Sequence, residues 1–218
     1  MTDIANKIKA IEDGLPDEVQ LVVVSKTHPI EKILEAYQYG HRVFGENRVQ
    51  ELLEKYSTLP KDIHWHLIGH LQSKKVKQIA PFISLIESVD SLKLLKEIDK
   101  EARKCERIIP VLLQVYIASE ESKFGLSPEE LTSILECITE GEFPNIKLKG
   151  FMGMATFTDD KDQVAQEFHF LSELFQQYKR HKSLELDILS MGMSGDYPIA
   201  IENGATHIRV GSAIFGSR

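Results

Sequence analysis

Short apolar runs alternate with segments of helical periodicity along the sequence from about residue 20 to its end. Such runs, rich in β-branched residues, are typical of strands that are buried on both faces of a parallel sheet. The predicted strands cover residues 20–25, 42–44, 63–67, 82–87, 108–115, 146–151, 186–189 and 207–210. Helices are predicted over 2–13, 30–39, 47–56, 73–79, 160–181 and 197–203, after a cap at Asp90 or Ser91, and after Ser127. Strands that each lead into a helix predict an α/β fold, a single (β/α)8 TIM barrel with an extra N-terminal helix.

The competing fold is a doubly wound open sheet, which also alternates strands with helices. An open sheet that binds a dinucleotide usually has a glycine-rich first turn, and the first turn here reads SKTHP over residues 25–29. No linker, repeat or low-complexity segment interrupts the sequence. We therefore predict the barrel, with residues 1–218 forming one domain.

The composition excludes several classes of protein. A net charge of −7 at pH 7 argues against a nucleic-acid binder, which would carry a basic surface. Cys105 and Cys137 form no CxxC motif, so a reduced, cytoplasmic setting is expected. Residues 2–14 lack the apolar core of a signal peptide, and no run of about 18 apolar residues occurs. We expect a cytoplasmic protein that binds neither nucleic acid nor membrane.

Lys26 follows the first predicted strand in the stretch LVVVSKTHP, which covers residues 21–29. A lysine at this place has its amine at the rim of a buried core. Most such lysines only extend their charged end into solvent, and that is one interpretation. The other is that the amine does chemistry, because TIM barrels carry their functional groups at the carboxyl ends of the strands.

Two turns near the end of the chain indicate an anion site. Ser194–Gly195 follows the seventh predicted strand and Gly211–Ser212 follows the eighth, and each combines a hydroxyl with a glycine at a predicted helix start. Backbone N–H groups at such places bind phosphate, and barrels commonly form phosphate sites after strands seven and eight. The alternative is that these residues merely cap helices. Two such turns in the expected places favour a phosphate site.

A lysine and a phosphate site at the same end of the barrel favour a ligand that carries both an aldehyde and a phosphate. Lys26 could form a Schiff base with an aldehyde whose phosphate lies across the mouth, and pyridoxal 5′-phosphate has that shape. An imine requires a neutral amine, which burial of the lysine would favour. Arg209, two residues before Gly211, could face the pyridine nitrogen and keep it an unprotonated acceptor. A salt-bridged or surface arginine is the alternative.

Six motifs resemble, in order, those of the pyridoxal phosphate homeostasis protein family, which are single-domain relatives of the alanine racemase barrel. These motifs are LVVVSKTHP, FGENRVQE, WHLIGHLQSKK, ESKFGL, GFMGMAT and LSMGMSGDYPIAIENGATHIRVGSAIFG. The resemblance covers the chain from about residue 20 to its end. Two positions depart from the family pattern, with Arg48 where tyrosine is frequent and Lys74 where asparagine is common.

The resemblance implies pyridoxal 5′-phosphate as a cofactor linked to Lys26. It also implies contacts with the phosphate or the ring for a set of other residues. The implied phosphate contacts are Ser194, Gly195, Gly211 and Ser212, with Arg209 as the partner of the ring nitrogen and Asn47 near the ring. The expected function is to hold, buffer or deliver the cofactor in vitamin B6 homeostasis, affecting amino-acid metabolism with little or no turnover. Apoenzymes that depend on this cofactor are possible recipients, and a monomer is expected.

Two enzymatic functions remain as alternatives. A racemase of restricted scope would need a tyrosine on the opposite face of the substrate and a second domain. The sequence ends at Arg218, soon after the eighth strand, so we expect neither to be present. An aldolase that uses a lysine Schiff base would keep the anion site and need no cofactor. We expect no metal site; the alternative is a site at His64, His66 and His70, because an HxH pair at a strand end can bind zinc.

Overall fold

The computed structural model describes residues 2–119 and 124–216. Parallel strands in this part of the chain pair in sequence order and close into a barrel, since the first strand is also bonded to the last. The eight strands so described are β1 Gln20–Val24, β2 Val43–Glu46, β3 His64–Leu67, β4 Leu85–Val89, β5 Ile109–Gln114, β6 Ile146–Met152, β7 Ile188–Met193 and β8 His207–Val210. The predicted (β/α)8 barrel is confirmed.

Helices follow every strand of the barrel. They are α1 Asp3–Glu12, α2 Ile30–Tyr39, α3 Val49–Thr58, α4 Val76–Ile79 after the 3-10 turn Ser73–Lys75, α5 Leu92–Lys104, α6 Pro128–Thr139, α7 Lys161–Lys179, α8 Tyr197–Glu202 and α9 Ser212–Phe215. The extra helix α1 precedes β1 and packs against α2 and α9. Within the described ranges, none of these helices is long and apolar enough to span a membrane.

The core lies mainly between the strands and the helices around them. Outward residues of β1, such as Leu21 and Val23, are buried there with apolar side chains of the helices. The barrel interior holds a separate small apolar cluster of Leu85, Leu112 and Met152. Polar side chains also enter the interior, so the inside of the barrel is partly apolar and partly polar. That polar part is the basis of the candidate site.

Several predicted strand boundaries were wrong, and three of the strand ends bear on the site. β2 extends to Glu46 and β4 to Val89, two residues beyond the predicted ends. Their polar residues are buried and paired, and so do not end the strands: Glu46 lies against Lys55 of α3, and Glu87 lies inside the barrel. β7 ends four residues later than predicted, at Met193. The register between β7 and β8 is interrupted, and Gly192 has a φ of +90°. Inward and outward side chains therefore do not alternate regularly along the end of β7, and the sequence shows no strand pattern there. Met191 to Met193 therefore belong to the strand and not to the turn.

Candidate functional site

The carboxyl ends of the parallel strands form one rim of the barrel, where this fold places its functional groups. β1 is bonded to β2 on one side and to β8 on the other, and β8 is bonded to β7. The ends of these four strands, with the turns that follow them, carry the residues singled out by the sequence. They therefore meet along one arc of the rim. The Ser194–Gly195 and Gly211–Ser212 turns lie beside the Lys26 turn instead of across the mouth from it.

Lys26 lies in a tight turn directly after β1. The amide of His28 donates a hydrogen bond of 3.1 Å to the carbonyl oxygen of Ser25, which closes the turn. Thr27 has a φ of +64°, and its amide donates to Oε2 of Glu51 at 2.8 Å. A β-branched residue rarely adopts this backbone conformation, so surrounding contacts must maintain the turn. These contacts fix the position from which the partly buried Lys26 projects.

A buried ion pair supports the same turn. The Lys55 ammonium donates to Oε1 of Glu46 at 2.6 Å and to the carbonyl oxygen of Ser25 at 2.8 Å. The Ser25 hydroxyl donates to the same Glu46 oxygen at 2.6 Å. Burial raises the pKa of Glu46, although the charge of Lys55 and the hydrogen bonds from Lys55 and Ser25 oppose this effect. Side chains from β2 and α3 thus hold the end of β1 in place.

Asn47 follows β2 and presents a polar atom that lacks a partner. Its Oδ1 is buried and has no hydrogen bond to any residue that the structure describes. Gly69 packs closely against the Asn47 backbone, since a Cβ added at this glycine would lie 2.4 Å from the Asn47 carbonyl oxygen. An unsatisfied buried amide is costly, and a ligand at the mouth would relieve that cost.

The turns after β7 and β8, for which an anion site was predicted, are connected by a serine hydroxyl. The Ser194 Oγ accepts from the amide of Gly211 at 3.2 Å and from the amide of Ala213 at 3.5 Å. Two backbone N–H groups therefore converge on one oxygen, as they would on an oxygen of a phosphate. Gly195 and Ser212 are exposed beside them. A Cβ added at Gly195 would have no heavy atom of residues 2–119 or 124–216 within 4 Å, so space is open there.

Arg209 points into the barrel near the carboxyl end of β8. Its side chain is only 3% exposed. Nη1 donates to the Ser190 hydroxyl at 2.6 Å, and Nη2 donates to the carbonyl oxygen of Gly153 at 2.9 Å. These two bonds use two of the five guanidinium N–H groups. The arginine is therefore an oriented, buried cation at the mouth and not a surface residue.

Glu87 is the residue at this site that the sequence interpretation missed. It is fully buried in β4, and its two oxygens accept from the Ser190 hydroxyl at 2.6 Å and bind His66 Nδ1 at 2.7 Å. Burial alone would raise the pKa of Glu87, but the hydrogen bond and charge of His66, the charge of Arg209 and the Ser190 hydroxyl lower it to about 2. The carboxylate is therefore ionised next to a buried arginine.

The three histidines considered for a metal do not meet. His64 is exposed at the start of β3, whereas His66 is buried inside the barrel against Glu87. His70 binds Asp90 at 2.9 Å and stacks on Phe124. Among residues 2–119 and 124–216, no group of three or more histidines, cysteines or acids is arranged to hold a metal ion.

Acid is expected to destabilise the protein between about pH 6.5 and pH 4 through His207. Burial lowers the pKa of this histidine from 6.5 to about 4, so the unfolded chain binds more protons than the folded one in this interval. The free energy of unfolding should therefore fall by about 3 kcal/mol as the pH falls from 7 to 4. Urea unfolding at a series of pH values measures this. His207→Gln should lose most of that slope, and an unchanged slope would assign it to other groups.

The two positions that depart from the family pattern lie on the surface. The Arg48 side chain is 79% exposed and lies 3.9 Å from Glu51, and Lys74 is exposed in the 3-10 turn. The first three residues of the ESKFGL motif lie outside the described residues. Phe124, which follows them, is exposed and stacks on His70 with ring centroids 4.4 Å apart.

The sequence matches a family model described as alanine racemase, N-terminal domain, over residues 1–218. A pyridoxal phosphate homeostasis protein of Aquifex aeolicus is 42% identical over 200 residues, which cover 91% of this chain and 87% of that protein. The human protein of the same name is 39% identical over 211 residues, which cover 91% of this chain and 76% of that protein.

Solved structures show the same similarity. PipY of Synechococcus elongatus PCC7942, solved with PLP bound, superposes with a TM-score of 0.89 at 36% identity, over 98% of this chain and 100% of that one. An alanine racemase of Clostridium difficile 630 superposes with a TM-score of 0.80 at 13% identity, over 99% of this chain and 57% of that one. The second comparison shows a shared fold and no more.

Proposed function

Because the chain belongs to the family of pyridoxal phosphate homeostasis proteins and matches the alanine racemase N-terminal domain model, we propose that it binds pyridoxal 5′-phosphate at the mouth of its barrel. The observation that carries the proposal is the arrangement of an amine, an oriented cation and an anion site on adjacent strands. Lys26 follows β1, Arg209 lies in the adjacent β8, and Ser194 joins the turns after β7 and β8. The bound relative PipY supports the same ligand.

The polar groups at the rim fit this ligand. The amides of Gly211 and Ala213 converge where a phosphate oxygen could bind, with Gly195 and Ser212 beside them. Arg209 supplies hydrogen-bond donors for the ring nitrogen, and as a permanent cation it would keep that nitrogen unprotonated.

The Asn47 side-chain amide is proposed to contact a substituent of the cofactor ring. Its buried Oδ1 needs a partner, and the described residues provide none. When bound, the cofactor supplies an aldehyde for a Schiff base with Lys26 and, in enzymes, a sink for electrons. Here Arg209 would weaken that sink, which suits a holding function better than turnover.

We further propose that the protein buffers or delivers the cofactor in vitamin B6 homeostasis, with an effect on amino-acid metabolism and little or no turnover. Apoenzymes that require the cofactor are the proposed recipients. We propose that the protein acts as a cytoplasmic monomer with one domain. The names of its relatives support homeostasis over catalysis.

Racemisation is the second candidate, and one observation favours it. Proton transfer on both faces of a substrate needs a second acid–base group opposite Lys26. Tyr116 follows β5, four strands from β1, and continues the alternation of the inward residues Leu112 and Gln114. Tyr116 is the residue that we would test first for this role.

Reconstitution with pyridoxal 5′-phosphate, followed by dialysis, tests binding and separates the two functions. We expect an absorbance band near the visible edge that survives dialysis, and racemisation of a panel of chiral amino acids no faster than with the free cofactor. A folded protein without the band would refute cofactor binding. Racemisation well above that of the free cofactor would refute the holding function, and its loss in Tyr116→Phe would assign the second acid–base group to Tyr116.

A further inference from the structure

A chain of buried hydrogen bonds runs from β3 to β8 behind the rim. His66 Nδ1 lies 2.7 Å from Oε1 of Glu87, and Oε2 of Glu87 lies 2.6 Å from the Ser190 hydroxyl. The same hydroxyl lies 2.6 Å from Nη1 of Arg209. The relative exposures of these four residues are 7%, 0%, 0% and 4%, so water screens the chain little.

The direction of each hydrogen bond in this chain is fixed. An ionised carboxylate can only accept, and a guanidinium can only donate. The single hydroxyl proton of Ser190 must therefore point to Glu87, which leaves its oxygen to accept from Arg209. A neutral amide at position 87 could donate to the Ser190 oxygen instead, and that would compete with Arg209 for the same acceptor.

Glu87 also supplies the negative charge that the buried arginine requires. Its Oε2 lies 3.9 Å from Nη1 of Arg209, within the distance of an ion pair. Burial lowers the pKa of Arg209, whereas the charges of Glu87 and Asp196 raise it. An uncompensated buried cation is costly, so the arginine would tend to move toward solvent without this carboxylate.

We propose that Glu87, acting through Ser190, is the positioning residue that directs the Arg209 guanidinium toward the ring nitrogen of the bound cofactor. The proposal rests on the proposed binding of pyridoxal 5′-phosphate. It adds that the recognition of the ring nitrogen depends on a residue of β4, on the far side of the barrel interior from β8. The alternative is that the chain only stabilises the core.

The test compares two ligands that differ at one atom. Pyridoxal 5′-phosphate and its 1-deaza analogue, in which CH replaces the ring nitrogen, are titrated against the wild type, Glu87→Gln and Ser190→Ala. We expect both variants to bind pyridoxal 5′-phosphate about tenfold more weakly, the loss of one charge-assisted hydrogen bond, and to bind the deaza analogue with nearly unchanged affinity. The double variant should lose little more than either single one, because both act along one chain.

Glu101→Gln is the matched control, since Glu101 is a buried carboxylate of α5 that binds Lys104 at 2.6 Å. It should change neither affinity. The proposal would be overturned if Glu87→Gln and Ser190→Ala bound both ligands equally more weakly than the wild type does. It would also be overturned if neither variant changed the affinity for either ligand. If Glu87→Gln does not fold, Ser190→Ala still decides the question, because it keeps the carboxylate and removes only the hydroxyl. Failure of the wild type to bind pyridoxal 5′-phosphate would instead refute the proposed function.

Discussion

Lys26→Ala is expected to abolish the part of the cofactor's absorbance band that survives dialysis. The amine of Lys26 would form the linkage, and alanine cannot. Arg209 and the amides around Ser194 remain in this variant, so pyridoxal 5′-phosphate should still bind without a covalent bond and should be lost on dialysis. Absorbance before and after dialysis, with circular dichroism to show that the variant is folded, measures both effects.

Lys32→Ala is the matched control for this variant. Lys32 lies in α2 near the same rim, with its Nζ 3.4 Å from the carbonyl oxygen of Phe215. It should keep the band through dialysis. If the band persists through dialysis in Lys26→Ala and disappears in Lys32→Ala, Lys26 is not the lysine that carries the cofactor.

Lys55→Met is expected to cause a large loss of stability. It would leave the fully buried Glu46 without its cation, and breaking a buried ion pair in this way costs about 3–5 kcal/mol. The Ser25 carbonyl oxygen would also lose its bond from Lys55, so the Lys26 turn should be held less firmly. The free energy of unfolding in urea measures the first effect. The fraction of protein that keeps the cofactor through dialysis measures the second.

Two further variants separate the ion pair from lysine in general. The Lys7–Asp3 pair has the same N–O distance of 2.6 Å but is exposed, so Lys7→Met should have almost no effect on stability. Glu46→Gln combined with Lys55→Met removes both charges and should recover part of the loss. A Lys55→Met protein as stable as Lys7→Met would contradict the role given to the buried pair.

Much of the fold could be predicted from local patterns. The helix α2 begins and ends where predicted, because Pro29 precedes it and Gly40 adopts a φ of +118° after it. The helix α6 begins at a complete capping box formed by Ser127 and Glu130. Such signals involve residues within a few positions of one another, which is why the sequence alone reveals them.

The residues of the candidate site could be predicted only at the ends of the strands. Lys26, Ser194 and Arg209 could be selected because the fold brings strand ends together. The bonds among Glu87, Ser190 and Arg209 could not be predicted, since Glu87 and Ser190 are 103 residues apart. The polar residues of β4 could have been a signal, because a glutamate next to apolar residues in a buried strand needs a partner.

The most direct test of the central claim identifies the lysine that carries the cofactor. The loaded protein is reduced with borohydride, which converts a Schiff base into a stable amine, and is then digested and analysed by mass spectrometry. The cofactor mass should be found on the peptide that contains Lys26. Its presence on a different lysine, or its absence from all peptides of a folded and loaded protein, would contradict the proposal that Lys26 holds pyridoxal 5′-phosphate.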